Sequence, residues 1–137
     1  MSIKLVQLPE QYRLGHKYID GQHEILFQLF KELSEYCKDT EYDIELEIIL
    51  LSLKTYVDTH FRYEENLMES LGYINIETHK LEHSKLEKQV VEKFDKFSTL
   101  SNKDEMMVFA LDLKGFLMHW LLEHIAETDR TFCETLN

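Results

Sequence analysis

The chain has 137 residues, the size of one domain, and 26 acidic against 15 basic side chains give it a formal net charge of −11. This charge argues against nucleic acid and against an anionic membrane surface as partners, because both attract basic proteins. Four glycines and one proline are too few for the many turns of a β fold, so the composition favours a few long helices.

Four segments after an irregular arm at residues 1–15 carry apolar residues at the three-to-four-residue spacing of one helix face. Gly72 is placed to end the second helix, and Asn75 is placed to cap the third. Short connections favour an all-α, up-down-up-down four-helix bundle that forms a single domain over residues 1–137. The predicted helices cover about residues 20–37, 41–71 and 76–97, and, after a separating segment at residues 101–103, a fourth stretch that includes His124.

The side chains outside these apolar stripes predict an exposed, acidic surface. On the second helix, acidic residues lie opposite the apolar stripe, and we interpret them as an ordinary solvated face of the helix. They are Glu45, Glu47, Asp58, Glu65 and Glu69. Two cysteines make no disulfide framework, and no run of residues has the pattern of a signal peptide or the length of a membrane span. We therefore expect a cytoplasmic protein.

Six side chains that can bind a metal lie on the apolar stripes, where they are unexpected because a buried polar group needs a partner. In an up-down-up-down bundle, the positions of these six groups along their helices bring them to one end of the core. Facing helices of a bundle build metal sites in this way. His16 and His119 also precede an acidic residue by four places, but we assign them structural or surface roles. The six residues are His23, His60, Glu64, His79, His83 and His124.

The composition of this cluster indicates which metal it suits. Five imidazoles and a carboxylate exceed what one tetrahedral zinc ion can use. A nitrogen-rich set with carboxylate suits iron, and the number of ligands suggests two metal ions. No histidine follows a glutamate by three places, so the ferritin-like di-iron pattern is excluded.

Four segments of the chain resemble the hemerythrins, and specifically their bacterial single-domain members. They are IDGQHEILFQLF (residues 19–30), HFRYEE (60–65), HKLEH (79–83) and HWLLEHIAETD (119–129). The resemblance implies two non-haem iron ions joined by an oxo or hydroxo bridge. It assigns His79, His83 and His124 to one iron, His23 and His60 to the other, and Glu64 and Asp129 to both.

This ligand set leaves one coordination position open. Five imidazole nitrogens and four carboxylate oxygens supply nine bonds, the bridge supplies two more, and two octahedral irons need twelve. The resemblance implies that O₂ binds reversibly and end-on at the iron with two histidines, as a hydroperoxide. We therefore predict an oxygen carrier, store or delivery protein, monomeric and not an enzyme. The implied O₂ pocket comprises Leu26, Phe61, Trp120, Leu121 and Ile125.

The position of Asp129 disagrees with ideal helix geometry, because five residues after His124 it lies about 140° away around the helix. Either the helix distorts, as π-bulges at functional sites do, or Asp129 reaches back from the last turn. Glu127 lies closer in angle, but the resemblance selects Asp129. The chain departs from the family near Leu8, where a tryptophan is usual, and at His16, where an aliphatic residue is usual.

Two other functions remain open at this point. One is a sensor of O₂ or redox state that acts through a separate partner. The other is a di-iron enzyme that reduces peroxide or nitric oxide, which a solvent-accessible pocket would favour.

Overall fold

The structure, a computed structural model, describes residue 10 and residues 13–39, 46–121 and 123–135, with only the backbone of residues 120, 121, 125 and 126. Within these ranges the chain forms helices and no strand, so the prediction of an all-α fold is confirmed. The helices are α1 (Lys17–Lys38), α2 (Leu46–Leu71), α3 (Ile76–Phe97), α4 (Lys103–Phe116) and α5 (Arg130–Glu134), with π-helical segments at Leu117–Leu121 and His124–Asp129 between α4 and α5.

The four long helices form a bundle in which each helix packs against the next. Helix α1 packs against α2 and α4, α2 packs against α3, and α3 packs against α4, which is the arrangement of an up-down-up-down bundle. The predicted stripes form its core, as Leu33, Leu50 and Leu113 show by their complete burial. The spacing of the apolar stripe on α2 extends to Leu71, but this side chain is 56% exposed, because it is the last residue of the helix before the turn.

A short polar network fixes the beginning of α1. The Nδ1 atom of His16 accepts a hydrogen bond from the Ile19 N–H at 3.3 Å and so caps the helix. The carboxylate of Asp20 accepts hydrogen bonds from the N–H groups of Leu14, at 2.8 Å, and Gly15, at 3.1 Å. His16 and Asp20 therefore stabilise the entry into α1, which agrees with the structural role assigned to His16.

The turn between α2 and α3 is built on Gly72. Its φ of 65° lies in the left-handed region that favours glycine, and α2 ends at the preceding residue. Asn75 stands at the cap position of α3, but its side chain makes no capping hydrogen bond, contrary to the prediction. Its carbonyl oxygen instead accepts the N–H of His79 at 3.1 Å, so the backbone alone begins this helix.

The predicted arm and the predicted beginning of the second helix fall largely outside the described residues. Residues 1–9, 11, 12 and 40–45 belong to that part, which includes Leu8 and Glu45. Among the helices that the structure describes, none has the combination of length and apolar character needed to cross a membrane.

A second apolar cluster closes one end of the bundle. It combines Ile19 of α1, Met68 of α2 and two residues of α5, Phe132 and Cys133. The ring of Phe132 meets the ring of His79 edge-on, with 6.3 Å between their centroids. This cluster therefore separates the histidines at that end of the core from solvent.

Candidate metal centre

The structure brings all seven predicted metal ligands together at one end of the bundle. Helix α1 contributes one, α2 and α3 contribute two each, and the second π-helical segment contributes two. None of these side chains is more than 3% exposed. They are His23, His60, Glu64, His79, His83, His124 and Asp129.

The seven residues form two groups that could each hold a metal ion. One group has three histidines, the other has two, and both include Glu64 and Asp129. Within each group, one ligand atom from every residue lies within 4.8 Å of the others. The three-histidine group contains His79, His83 and His124, and the two-histidine group contains His23 and His60.

The two carboxylates lie between the two sets of imidazoles. The Oε1 atom of Glu64 is 3.3 Å from Nε2 of His60 and 3.2 Å from Nε2 of His83. The two oxygens of Asp129 face different sets of imidazoles. Its Oδ2 is 3.0 Å from Nε2 of His23, and its Oδ1 is 2.9 Å from Nε2 of His124. Both carboxylates are therefore within reach of both ligand groups.

A π-helix places Asp129 in this position. The segment His124–Asp129 is π-helical, and a π turn closes between a residue and the fifth one after it. His124 and Asp129 are therefore brought onto one face, which an ideal α-helix would not do. Of the two explanations considered for the spacing of Asp129, the structure shows the helix distortion. Glu127, the nearer residue in an ideal helix, is exposed.

The unpaired atoms of the cluster test whether these residues fit a metal. Among the described residues, both oxygens of Glu64, Oδ1 of Asp129 and Nε2 of His79, His83 and His124 are buried without a hydrogen-bond partner. Leaving so many buried polar atoms unpaired is costly. Because they are nitrogen and carboxylate oxygen atoms that converge, bonds to a transition metal would satisfy them together. The donor set therefore fits a metal such as iron.

The pKa values of the histidines indicate that a bound metal would replace protons on the imidazoles. Burial lowers the pKa of His60, but the nearby Glu64 and Asp129 carboxylates outweigh this effect and raise it to about 9. The same carboxylates raise the pKa of His79 and His124 against the effect of burial. Protons on the imidazoles therefore balance the buried carboxylates in the metal-free chain, and a metal must displace them.

The carboxylates respond in the opposite sense. Burial raises the pKa of Glu64 and Asp129, but the positive charge of the surrounding imidazoles, above all His60 and His124, holds both pKa values well below the usual range. Both side chains therefore stay ionised at neutral pH and are ready to bind a cation without losing a proton.

Two of the predicted ligands, His83 and His124, have carboxylate partners behind the ring that the periodicity does not predict. Glu65 was interpreted as part of a solvated face, and this was wrong, because its Oε2 accepts a hydrogen bond from Nδ1 of His83 at 2.9 Å. Oε1 of Glu82 accepts from Nδ1 of His124 at 3.0 Å. These residues gave no signal in the periodicity because they stand at the edge of the helix faces, between core and solvent.

The structure describes the side chains of two of the five residues of the predicted O₂ pocket. Leu26 and Phe61 are buried in one apolar cluster, and the ring of Phe61 stacks on that of His83 with 3.8 Å between centroids. The side chains of Trp120, Leu121 and Ile125 lie outside the described part of the chain.

His119 does not join the cluster. Its side chain is 75% exposed and faces Glu123, with 3.9 Å between Nδ1 and Oε1. The surface role assigned to it agrees with this position.

Comparisons with known proteins point to one family. A family model described as "Hemerythrin HHE cation binding domain" matches residues 14–136. A bacteriohemerythrin from Clostridium acetobutylicum is 34% identical over 129 residues, which cover 91% of this chain and 96% of that protein. One from Aquifex aeolicus is 29% identical over 136 residues, and these cover 96% of this chain and 98% of that protein.

Proposed function

This chain belongs to the hemerythrin family, and we propose that it holds two iron ions at the seven-residue cluster and binds O₂ reversibly. The observation that carries the proposal is the pair of ligand groups with two shared carboxylates. The assignment of ligands is the one that the sequence resemblance implies. His79, His83 and His124 would hold one iron, His23 and His60 the other, and Glu64 and Asp129 would bind both.

The burial of the cluster supports reversible binding. When bound, the iron pair would supply the two electrons and the open coordination position that O₂ binding needs. The protein's part is to keep water away from this position, and the near-complete burial of the seven ligands serves this purpose. Leu26 and Phe61, 1% and 0% exposed, would form part of an apolar pocket that admits a small apolar gas.

The same features favour an oxygen carrier, store or delivery protein over an enzyme that reduces peroxide or nitric oxide. Ligands that are at most 3% exposed limit the access of water and polar oxidants. We further propose that the protein is a cytoplasmic monomer. The unpaired thiols of Cys37 and Cys133 support a reducing compartment.

Absorption spectra of the iron-loaded protein test this proposal. The protein is reduced under argon, exposed to O₂ and then purged with argon again. We expect a visible absorption band that forms with one O₂ per chain and disappears on purging, over repeated cycles. A band that forms once and does not reverse, with turnover of added peroxide, would favour the enzyme. The absence of any band would overturn both functions.

A further inference from the structure

The hydrogen bonds behind the histidine rings differ between the two ligand groups. In the three-histidine group, His83 and His124 each donate from Nδ1 to a carboxylate, that of Glu65 and that of Glu82 respectively. The hydroxyl of Thr128 donates to both oxygens of Glu82, at 3.1 and 3.0 Å, and so fixes its orientation.

In the two-histidine group, the partner is neutral. Nδ1 of His60 lies 2.6 Å from Oε1 of Gln22. Nε2 of His60 faces the bridging carboxylates Glu64 and Asp129 and is the nitrogen that would bind the metal, so in the iron-loaded protein Nδ1 carries the proton. The amide oxygen of Gln22 therefore accepts this hydrogen bond. The second histidine of this group, His23, has a buried Nδ1 with no hydrogen-bond partner among the described residues.

We propose that Gln22 is a positioning residue that orients His60 and, through its neutral amide, makes the two metal positions electronically unequal. The inference rests on the proposed di-iron function. An ionised acceptor behind an imidazole makes the ring a stronger donor and stabilises the more highly charged metal, whereas a neutral amide does so less. The three-histidine position therefore favours the ferric state more than the position that would bind O₂.

The surroundings of Gln22 permit a direct test of this difference. Gln22 and His60 both line a cleft of about 370 Å³ between α1 and α2, together with Tyr56 and Thr59. Gln22 is partly exposed there. A carboxylate at this position would keep contact with solvent, and Gln22→Glu changes the charge of the acceptor with little change in shape.

The experiment compares Gln22→Glu with the opposite exchange, Glu82→Gln, in the iron-loaded protein. We expect Gln22→Glu to shift the ferric–ferrous equilibrium about tenfold towards ferric, a fall of about 59 mV in the midpoint potential of a one-electron couple. Glu82→Gln should raise the potential. The matched control is Glu123→Gln, which removes the same charge from an exposed side chain of the same region and should leave the potential unchanged.

A second variant, measured by iron affinity, tests whether Gln22 orients the ring of His60. Gln22→Leu removes the acceptor, and we expect the iron at the two-histidine group to bind about 10- to 100-fold more weakly in competition with a chelator. Unchanged potentials or shifts of the same sign in the two charge exchanges, with two irons still bound, would overturn the inference about Gln22. A wild-type protein that binds no iron pair would instead overturn the proposed function.

Discussion

Replacing His60 with alanine should reduce the iron content of the protein from two ions per chain to one. The two-histidine group would then keep one imidazole, His23, and the shared carboxylates, while the three-histidine group would keep every ligand. The remaining iron would still pair with Glu64 and Asp129, so the chain should fold. Iron analysis after reconstitution and desalting, with circular dichroism to check the helices, measures this result.

The matched control is His119→Ala. His119 is 75% exposed and lies outside both ligand groups, so this variant should retain two irons. Two irons in His60→Ala would contradict the assignment of His60, and a loss of iron in His119→Ala would show that the centre is placed wrongly.

Removing the metal should lower the thermal stability of the protein by roughly 10 °C. Ligands that bind only the folded chain stabilise it by about 3–4 kcal/mol when present at 100 to 1,000 times their dissociation constant, and one kcal/mol corresponds to a few degrees for a chain of this size. The chelated protein would also bury Glu64 and Asp129 without their cation. Calorimetry of the iron-loaded and chelated protein measures the difference, and equal midpoints would contradict a structural contribution of the metal.

The pH dependence of the chelated protein provides a second check. The pKa of His60, about 9 in the folded chain, exceeds the ordinary value of about 6.5. Its protonation therefore stabilises the folded state fully below pH 6.5, and this contribution is lost as the pH rises through about 9. We expect the chelated protein to lose stability between pH 7 and 10. The iron-loaded protein should lose less, because its imidazoles carry no such proton. Parallel losses in the two forms would contradict this explanation.

The sequence was sufficient to predict the bundle and the position of its polar cluster. The stripes of α1, α2 and α3 place His23, His60 and His79 inward at matching ends, because an antiparallel bundle with short connections fixes which helix ends meet. The identity of the metal ligands depended further on the resemblance to a family. In a chain with so many acidic residues, a histidine is often followed by an acidic residue four places later, so this spacing alone does not identify a ligand.

Two features could not be predicted from periodicity. The π-helix at His124–Asp129 depends on interactions in the folded core, and an ideal helix would have selected Glu127 in place of Asp129. Gln22 is hydrogen-bonded to His60 and Glu82 to His124, each on a different helical segment. A hydrogen bond between two helices leaves no repeat in the sequence of either helix.

Anomalous diffraction at the iron edge, from crystals of the reconstituted protein, would locate the iron ions among the seven ligands. We expect two peaks inside the bundle, one bound by His23 and His60 and the other by His79, His83 and His124, with Glu64 and Asp129 in contact with both. A single peak, or iron bound outside these seven residues, would contradict this assignment.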